Sequence, residues 1–412
     1  MSIDTKMAWR NIWRNPRRTV LTICAIAFAS LLLVFMLSFQ FGSYETMINT
    51  SVKIQTGHLQ VQAAEYHEKK NMRYVVPQPS AVAAILDQTP HVQAYTFRGQ
   101  AFSLISSAER TYGVVVTGID PVREARVSRL KALIREGAFL SPGDTDQALI
   151  GKILAQNLRV KLGDELTVIG QGRDGSIAAT VVRVKGVFSS GIGDFDRSAI
   201  HIPLPTFQEV YSMQQAVHEV VVIADALHNI DKIRGTLLTG LASLGAKKPL
   251  RVLDWDELMP GLRQSIEMDL ISGLIFYLLL VLVVAFSILN TFLMAIFERT
   301  REFGVMMAIG TTPGRLTKVL LIESMTLTAI GIAAGILVGS LITLYFQSHG
   351  IDFSGASELL SQFGITGRMY PKLSLLSAIS GPLGVLIITF FAALYPAIKV
   401  RRLQPVDAMR AA

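Results

Sequence analysis

The sequence predicts a membrane protein with four transmembrane α-helices and a large α+β extracytoplasmic domain between the first and second. Three observations carry this. Four apolar runs are each long enough to cross a hydrocarbon core of ~30 Å. Half of the 412 residues are hydrophobic and 17% are charged, with a mean hydropathy of +0.43, which is too apolar for an ordinary soluble chain. The formal charge of +8 gathers beside the apolar runs: Gly42 to Met268 carries 24 basic and 23 acidic side chains and is almost neutral. Basic residues at one set of span ends are what the positive-inside rule expects of cytosolic edges, so nucleic acid is not needed to explain the charge.

Residues 1–18 read as a cytosolic amphipathic leader. Lys6, Arg10, Arg14, Arg17 and Arg18 face one acid, Asp4, while Trp9 and Trp13 stand four residues apart and Arg10, Arg14 and Arg17 form a second helical stripe. Such a helix lies at the membrane surface, indoles at the headgroup level and guanidinium groups toward anionic lipid. Pro16 breaks the chain before the first span, 19–41, which has no charged residue. That run exceeds the apolar core of roughly 7–15 residues in a cleaved signal peptide and lacks a small-residue cleavage site, so a retained anchor is expected. The lone cysteine, Cys24, excludes an intrachain disulfide and a thiolate metal cluster, and reads as a small buried residue.

Residues 42–268 form the outer domain, long enough for one or two compact bodies. Period-2 alternation marks strands at Gly57–Gln62 and Thr111–Gly118, and further strands at Glu165–Gly170 and Ala179–Phe188 flank the turn Gln171–Gly175. Ala148–Asn157 reads as strand then helix, Val217–Ala224 as strand, and Asn229–Leu241 as helix. The strand order does not follow from these patterns.

The remaining segments are a second span at 269–297, a cytosolic loop at 298–318, a third span at 319–346, a short outer loop at 347–372, a fourth span at 373–398 and a cytosolic tail at 399–412. Arg299, Arg301, Arg315 and Lys318 in the loop, with Lys399, Arg401, Arg402 and Arg410 in the tail, place these and both termini in the cytosol. Within the loop, Glu298–Gly314 contains a short helix with Phe303, Met306, Met307 and Gly310 on one side. A helix this short cannot stand alone in water and needs a surface, either the membrane or another protein. Thr311–Gly314 ends it and restarts the chain, with Thr312 at the N-cap and Pro313 at the first helical position.

Inside the third span, Glu323 is the one acid. An intramembrane carboxylate is a functional candidate by default; a structural role, reaching the interface or pairing with Arg315 or Lys318, is the other reading. Gly331, Gly335 and Gly339 make a small-residue ridge for close helix packing, either within the subunit or across a dimer. No G-x-x-x-x-G-K-[ST] phosphate loop occurs, His67-Glu68 and His218-Glu219 lack the second histidine of a zinc helix, and no G-x-S-x-G elbow is present. Asp194 and Asp196 supply too few oxygens for a hard cation. An enzyme is therefore the weaker class.

Topology and motifs together resemble the FtsX/MacB-type (type VII) permeases of ABC transporters. Glu298, Arg299 and then Arg301-Glu302-Phe303-Gly304-Val-Met306-Met307-Ala-Ile-Gly310 is similar to that family's signature loop, and Tyr395-Pro396-Ala397 with Pro405–Arg410 to its tail pattern. Leu149–Ala155 followed by Leu162–Glu165 resembles its outer-domain segment, while Gly57–Val61 and the Gly186–Asp196 stretch lean toward the LolC/LolE-like lipoprotein-releasing branch. The resemblance implies a permease of the bacterial inner membrane, working as a homo- or heterodimer with a second permease subunit. A separate ABC ATPase dimer would bind ATP and Mg below. It further implies that the loop helix contacts the ATPase, with Phe303, Met306 and Met307 as apolar anchors and Glu298, Arg299, Arg301 and Glu302 as a polar rim. ATP hydrolysis would then move the periplasmic domains and release or export a lipoprotein, lipid or other hydrophobic cargo, with a periplasmic carrier or lipoprotein as a further partner. The alternative is an FtsX-like signalling subunit that activates an envelope hydrolase.

Overall fold

The computed structural model describes residues 3–243, 249–352 and 368–401, which fall into two compact units. The tail motif Pro405–Arg410 lies outside the described residues.

The first unit holds four long apolar helices, Pro16–Val52, Pro260–Glu298, Pro313–His349 and Leu375–Arg401, each with a stretch able to cross a bilayer. Three begin with proline at the first helical position, where its missing N–H costs nothing and its fixed φ suits the helix. They outrun the apolar runs because polar residues at both ends continue the same hydrogen-bond ladder.

The glycine ridge is used within the chain. A Cβ on Gly331 would lie 2.8 Å from Ile26 Cβ, one on Gly335 2.5 Å from the Ala27 carbonyl, and one on Gly339 3.1 Å from Leu31 Cα. Three glycines therefore let the first and third spans meet backbone to backbone, and Gly381 does the same for the fourth span against Leu33. Ile26, Leu33, Ile288, Phe292, Leu327 and Val385 fill the bundle interior, and Ser38 and Ser377 share a buried hydrogen bond of 2.9 Å. The second span is the least covered, with Leu274, Phe276, Val283 and Phe286 exposed. Cys24 is also exposed, against the expectation of burial. Helical phase is the reason: Ile26, Ala29 and Ser30 point inward, which turns Cys24 and Phe28 outward.

The second unit, Glu45–Gln264, is built on one sheet. In chain order its strands are β1 (Leu59–Ala63), β2 (Val92–Ser106), β3 (Thr111–Ile119), β4 (Ile134–Gly137), β5 (Gln147–Gly151), β6 (Glu165–Gln171), β7 (Ile177–Phe188), β8 (Ala199–Pro203), β9 (Glu219–Ala224) and β10 (Leu250–Asp254). Six of them close a ring in the order β2-β3-β8-β5-β7-β6 and back to β2. Closure removes the unpaired edges that a flat sheet of this size would expose. Ile105, Val116, Ile150, Val168, Val182 and Ile200 fill the ring, with Phe207 and Tyr211 at one end. Gly99 and Gly118 make room for Phe207, since a Cβ on either would lie within 2.4 Å of its side chain.

Strand β2 is long because it serves two bodies. Its second half closes the ring on β6, while Val92–Arg98 pairs with β9, which continues to β1 and β10. On this open wing Leu59, Val61, Val220 and Val222 pack against Val82, Leu86, Ile233 and Leu237 of helices Pro79–Gln88 and Ile230–Ser243. Where ring and wing join, Arg98 makes a bidentate pair with Glu124, at 2.6 and 3.1 Å, and also donates to the Gln55 carbonyl. Burial pushes the Glu124 carboxyl up, but the charge and hydrogen bonds of Arg98 outweigh it and hold the group below the usual range. Burial pulls His58, His201 and His218 down to about 4.

Candidate functional site

The second span ends at Glu298, and the chain turns at Arg299 into a separate helix, Thr300–Ala308. This elbow helix closes with a Schellman arrangement. Thr311 N–H donates to the Met306 carbonyl at 2.9 Å and Gly310 N–H to Met307 at 3.1 Å, with Gly310 at φ +99°. Gly310 is therefore the cap of the elbow rather than part of its apolar side. Three residues later Pro313 opens the third span; Thr312 occupies the N-cap, but its hydroxyl makes no capping bond.

The elbow's orientation corrects the reading of its faces. Phe303 and Met307 are 3% and 8% exposed and pack with Ile296, Leu316, Leu320 and Val400 of their own chain, with Met306 partly buried beside them and Gly304 buried. The residues taken for partner anchors are the keel that seats the elbow on the spans. The outward face is Arg301, Val305, Ala308 and Ile309, with Ile309 80% exposed. Arg301, Val305 and Ala308 follow the i, i+4, i+7 spacing of one helical side.

Three of the four residues assigned to a polar rim are engaged within the chain. Glu302 accepts from Arg14, and Glu298 from Arg18 at 2.9 Å. Arg299 reaches Glu302 at 3.4 Å and Glu323 at 3.3 Å, and its guanidinium lies over the Phe303 ring. Arg301 alone of the four points away without an ion partner among the described residues. Glu323 thus has a structural pair, but with Arg299 and not with Arg315 or Lys318. Lys318 sits five residues earlier on the same helix, about 140° around it. Arg315 and Lys318 instead hold Asp4, at 2.9 and 3.4 Å.

These contacts fasten the leader helix, Ile3–Arg14, at one end to the elbow through Arg14 and at the other to the start of the third span through Asp4. The hydrogen bond from Arg14 holds the Glu302 carboxyl below its ordinary range, and that from Arg315 does the same for Asp4. Ala8 and Ile12 bury the leader's inner side, and the Thr19 hydroxyl donates to the Ile12 carbonyl across the break at Pro16. Arg14 and Arg18, read from the sequence as lipid-facing or uncommitted, are thus ion partners of the elbow and of the end of the second span respectively, roles for which a single sequence gives no signal. A cavity of about 40 Å³, lined by Asn11, Arg18, Thr22, Thr291, Arg299 and Glu323, lies among them and is too small for a nucleotide or a lipid. The elbow thus has an apolar keel and ion pairs on the inside, and a small apolar and cationic face outside.

The family model described as FtsX-like permease C-terminal matches residues 274–405, and that of the MacB-like periplasmic core domain matches 19–237. The chain is 24% identical over 317 residues to the lipoprotein-releasing system transmembrane protein LolC of Xylella fastidiosa (strain 9a5c), covering 73% of this chain and 74% of that one. It is 26% identical over 269 residues to the uncharacterized ABC transporter permease YknZ of Bacillus subtilis (strain 168), covering 63% and 61%. It is 22% identical over 416 residues to the macrolide export ATP-binding/permease protein MacB of Shewanella oneidensis, covering 98% of this chain and 60% of that protein.

Proposed function

We propose, for a chain that belongs to the FtsX/MacB-type ABC transporter permeases, that it couples ATP hydrolysis by a separate ATPase subunit to motion of its sheet domain. In this reading the leader, elbow and tail lie in the cytosol and the sheet domain outside the bacterial inner membrane. The elbow helix carries this reading, because its inner side is committed to its own chain while Arg301, Val305 and Ile309 are left outward. That face takes the role first given to Phe303 and Met307. ATP and Mg belong to the ATPase, and the permease is itself non-catalytic and paired with a second permease subunit. The chain's similarity to LolC supports a lipoprotein or other lipid-anchored cargo, released outward without a channel. The test is purification with the cognate ATPase in nanodiscs loaded with a lipoprotein. ATP-dependent release is expected, stopped by a hydrolysis-deficient ATPase. Stimulated hydrolysis with no release would reject the cargo, and no association with the ATPase would reject the coupling.

A further inference from the structure

We propose that the leader helix is a binding site for anionic phospholipid, and that the lipid competes with Glu302 for Arg14, so that the charge of the surrounding leaflet sets how firmly the leader holds the elbow. The inner side of the helix is fixed by Ala8 and Ile12. The outer side carries Trp9 and Trp13, 44% and 49% exposed, with ring centroids 6.1 Å apart and planes at 70°. Together with Arg10 and Arg14 the two indoles border an open groove of about 550 Å³. Indoles favour the headgroup level, and a guanidinium fork matches a phosphate in two hydrogen bonds. Arg10 and Arg17 are exposed, and among the described residues neither pairs with a carboxylate.

Arg14 is the residue in dispute. Its pair with Glu302 is half exposed on both sides, 52% and 45%. An exposed pair of this kind favours the bound state by at most about fivefold. An arginine at an anionic leaflet gains about the same factor. Since neither wins outright, the guanidinium divides between the carboxylate and a headgroup phosphate, and the anionic content of the leaflet moves the division. The better-covered contact of Asp4 with Arg315, together with buried Ala8 and Ile12, keeps the leader seated in either state. This inference rests on the membrane spans and needs nothing from the ATPase.

The test uses the full chain in nanodiscs doped with brominated phosphatidylglycerol or, at equal mole fraction, brominated phosphatidylcholine, with tryptophan emission as readout. The chain has three tryptophans, and a Trp9→Phe/Trp13→Phe variant gives the background from Trp255. The leader indoles are expected to favour phosphatidylglycerol by about fivefold for each engaged arginine. Arg10→Gln and Arg14→Gln each lower that preference, and Glu302→Gln raises it by releasing Arg14. All three side chains are exposed, so the variants keep the fold. Equal quenching by the two lipids, or a preference unmoved in the Arg10→Gln/Arg14→Gln double variant, overturns the site. A preference that Glu302→Gln does not raise overturns the competition.

Discussion

Replacing Phe303 and Ile309 one at a time by alanine separates the two sides of the elbow. Phe303 is 3% exposed against Ile296, Leu316, Leu320 and Val400. A buried phenylalanine cut to alanine costs about 3–5 kcal/mol, part from transfer of the lost atoms and part from the cavity left behind. Where the elbow borders lipid the transfer part shrinks, because acyl chains are as apolar as the core, so the lower end applies. Losing the ring under the Arg299 guanidinium adds about 0.5–1 kcal/mol. Phe303→Ala should therefore lower stability by about 3–4 kcal/mol. Ile309, 80% exposed, should change it by no more than about 0.5 kcal/mol. Thermal unfolding of the purified full chain reads the first difference, and stimulation of the partner's ATP hydrolysis reads the second, with Ile309→Ala lowering stimulation in a fully stable protein. A stable Phe303→Ala variant beside a destabilised Ile309→Ala variant would mean that the elbow faces the other way.

Gly310→Ala has open space for its methyl group but must hold φ near +99°, so a loss of about 1–2 kcal/mol and an earlier fraying of the elbow amides in hydrogen exchange are expected. Gly335→Val places a branched side chain where even a Cβ lies 2.5 Å from the Ala27 carbonyl. The first and third spans must then part, and cysteine pairs across them should lose cross-linking. The sheet domain should weaken in acid. His58, His201 and His218 are buried and neutral with pKa values near 4, so between the ordinary histidine value of 6.5 and 4 the unfolded chain binds more protons than the folded one. Stability is complete above that window and falls through it, by up to about 1.4 kcal/mol per pH unit for each histidine. Hydrogen exchange of β9 in the full chain at pH 7 and pH 5 measures this. Below the ordinary glutamate range the Arg98–Glu124 pair is lost as well.

The spans and most strands were legible because their signals are local: apolar length for the former, period-2 alternation in stretches such as Leu59–Ala63 for the latter. Closure of the ring was not legible, since it depends on β2 meeting β6 and β3 meeting β8 across long intervening sequence. The elbow shows the same divide at smaller scale. Periodicity grouped Phe303, Met306 and Met307 correctly on one side, but Val305 and Ile309 make the other side apolar too, and nothing local says which side is covered. Arg14 and Glu302 are 288 positions apart, so their pairing leaves no mark on either neighbourhood. Gly310 was misplaced for a different reason: it satisfies the i+7 position of the apolar stripe, while Gly followed by Thr-Thr-Pro is equally a stop signal, and the stop signal describes its role.

The most direct test of the coupling reading is site-specific cross-linking between the elbow and the ATPase. In a Cys24→Ser background, which removes the one native thiol, single cysteines at Val305, Ile309 and Phe303 are treated with a short bifunctional thiol reagent in the assembled complex. Cross-links from positions 305 and 309 to the ATPase, with none from position 303, are the result expected. A cross-link from position 303 with none from 305 or 309 would contradict the account.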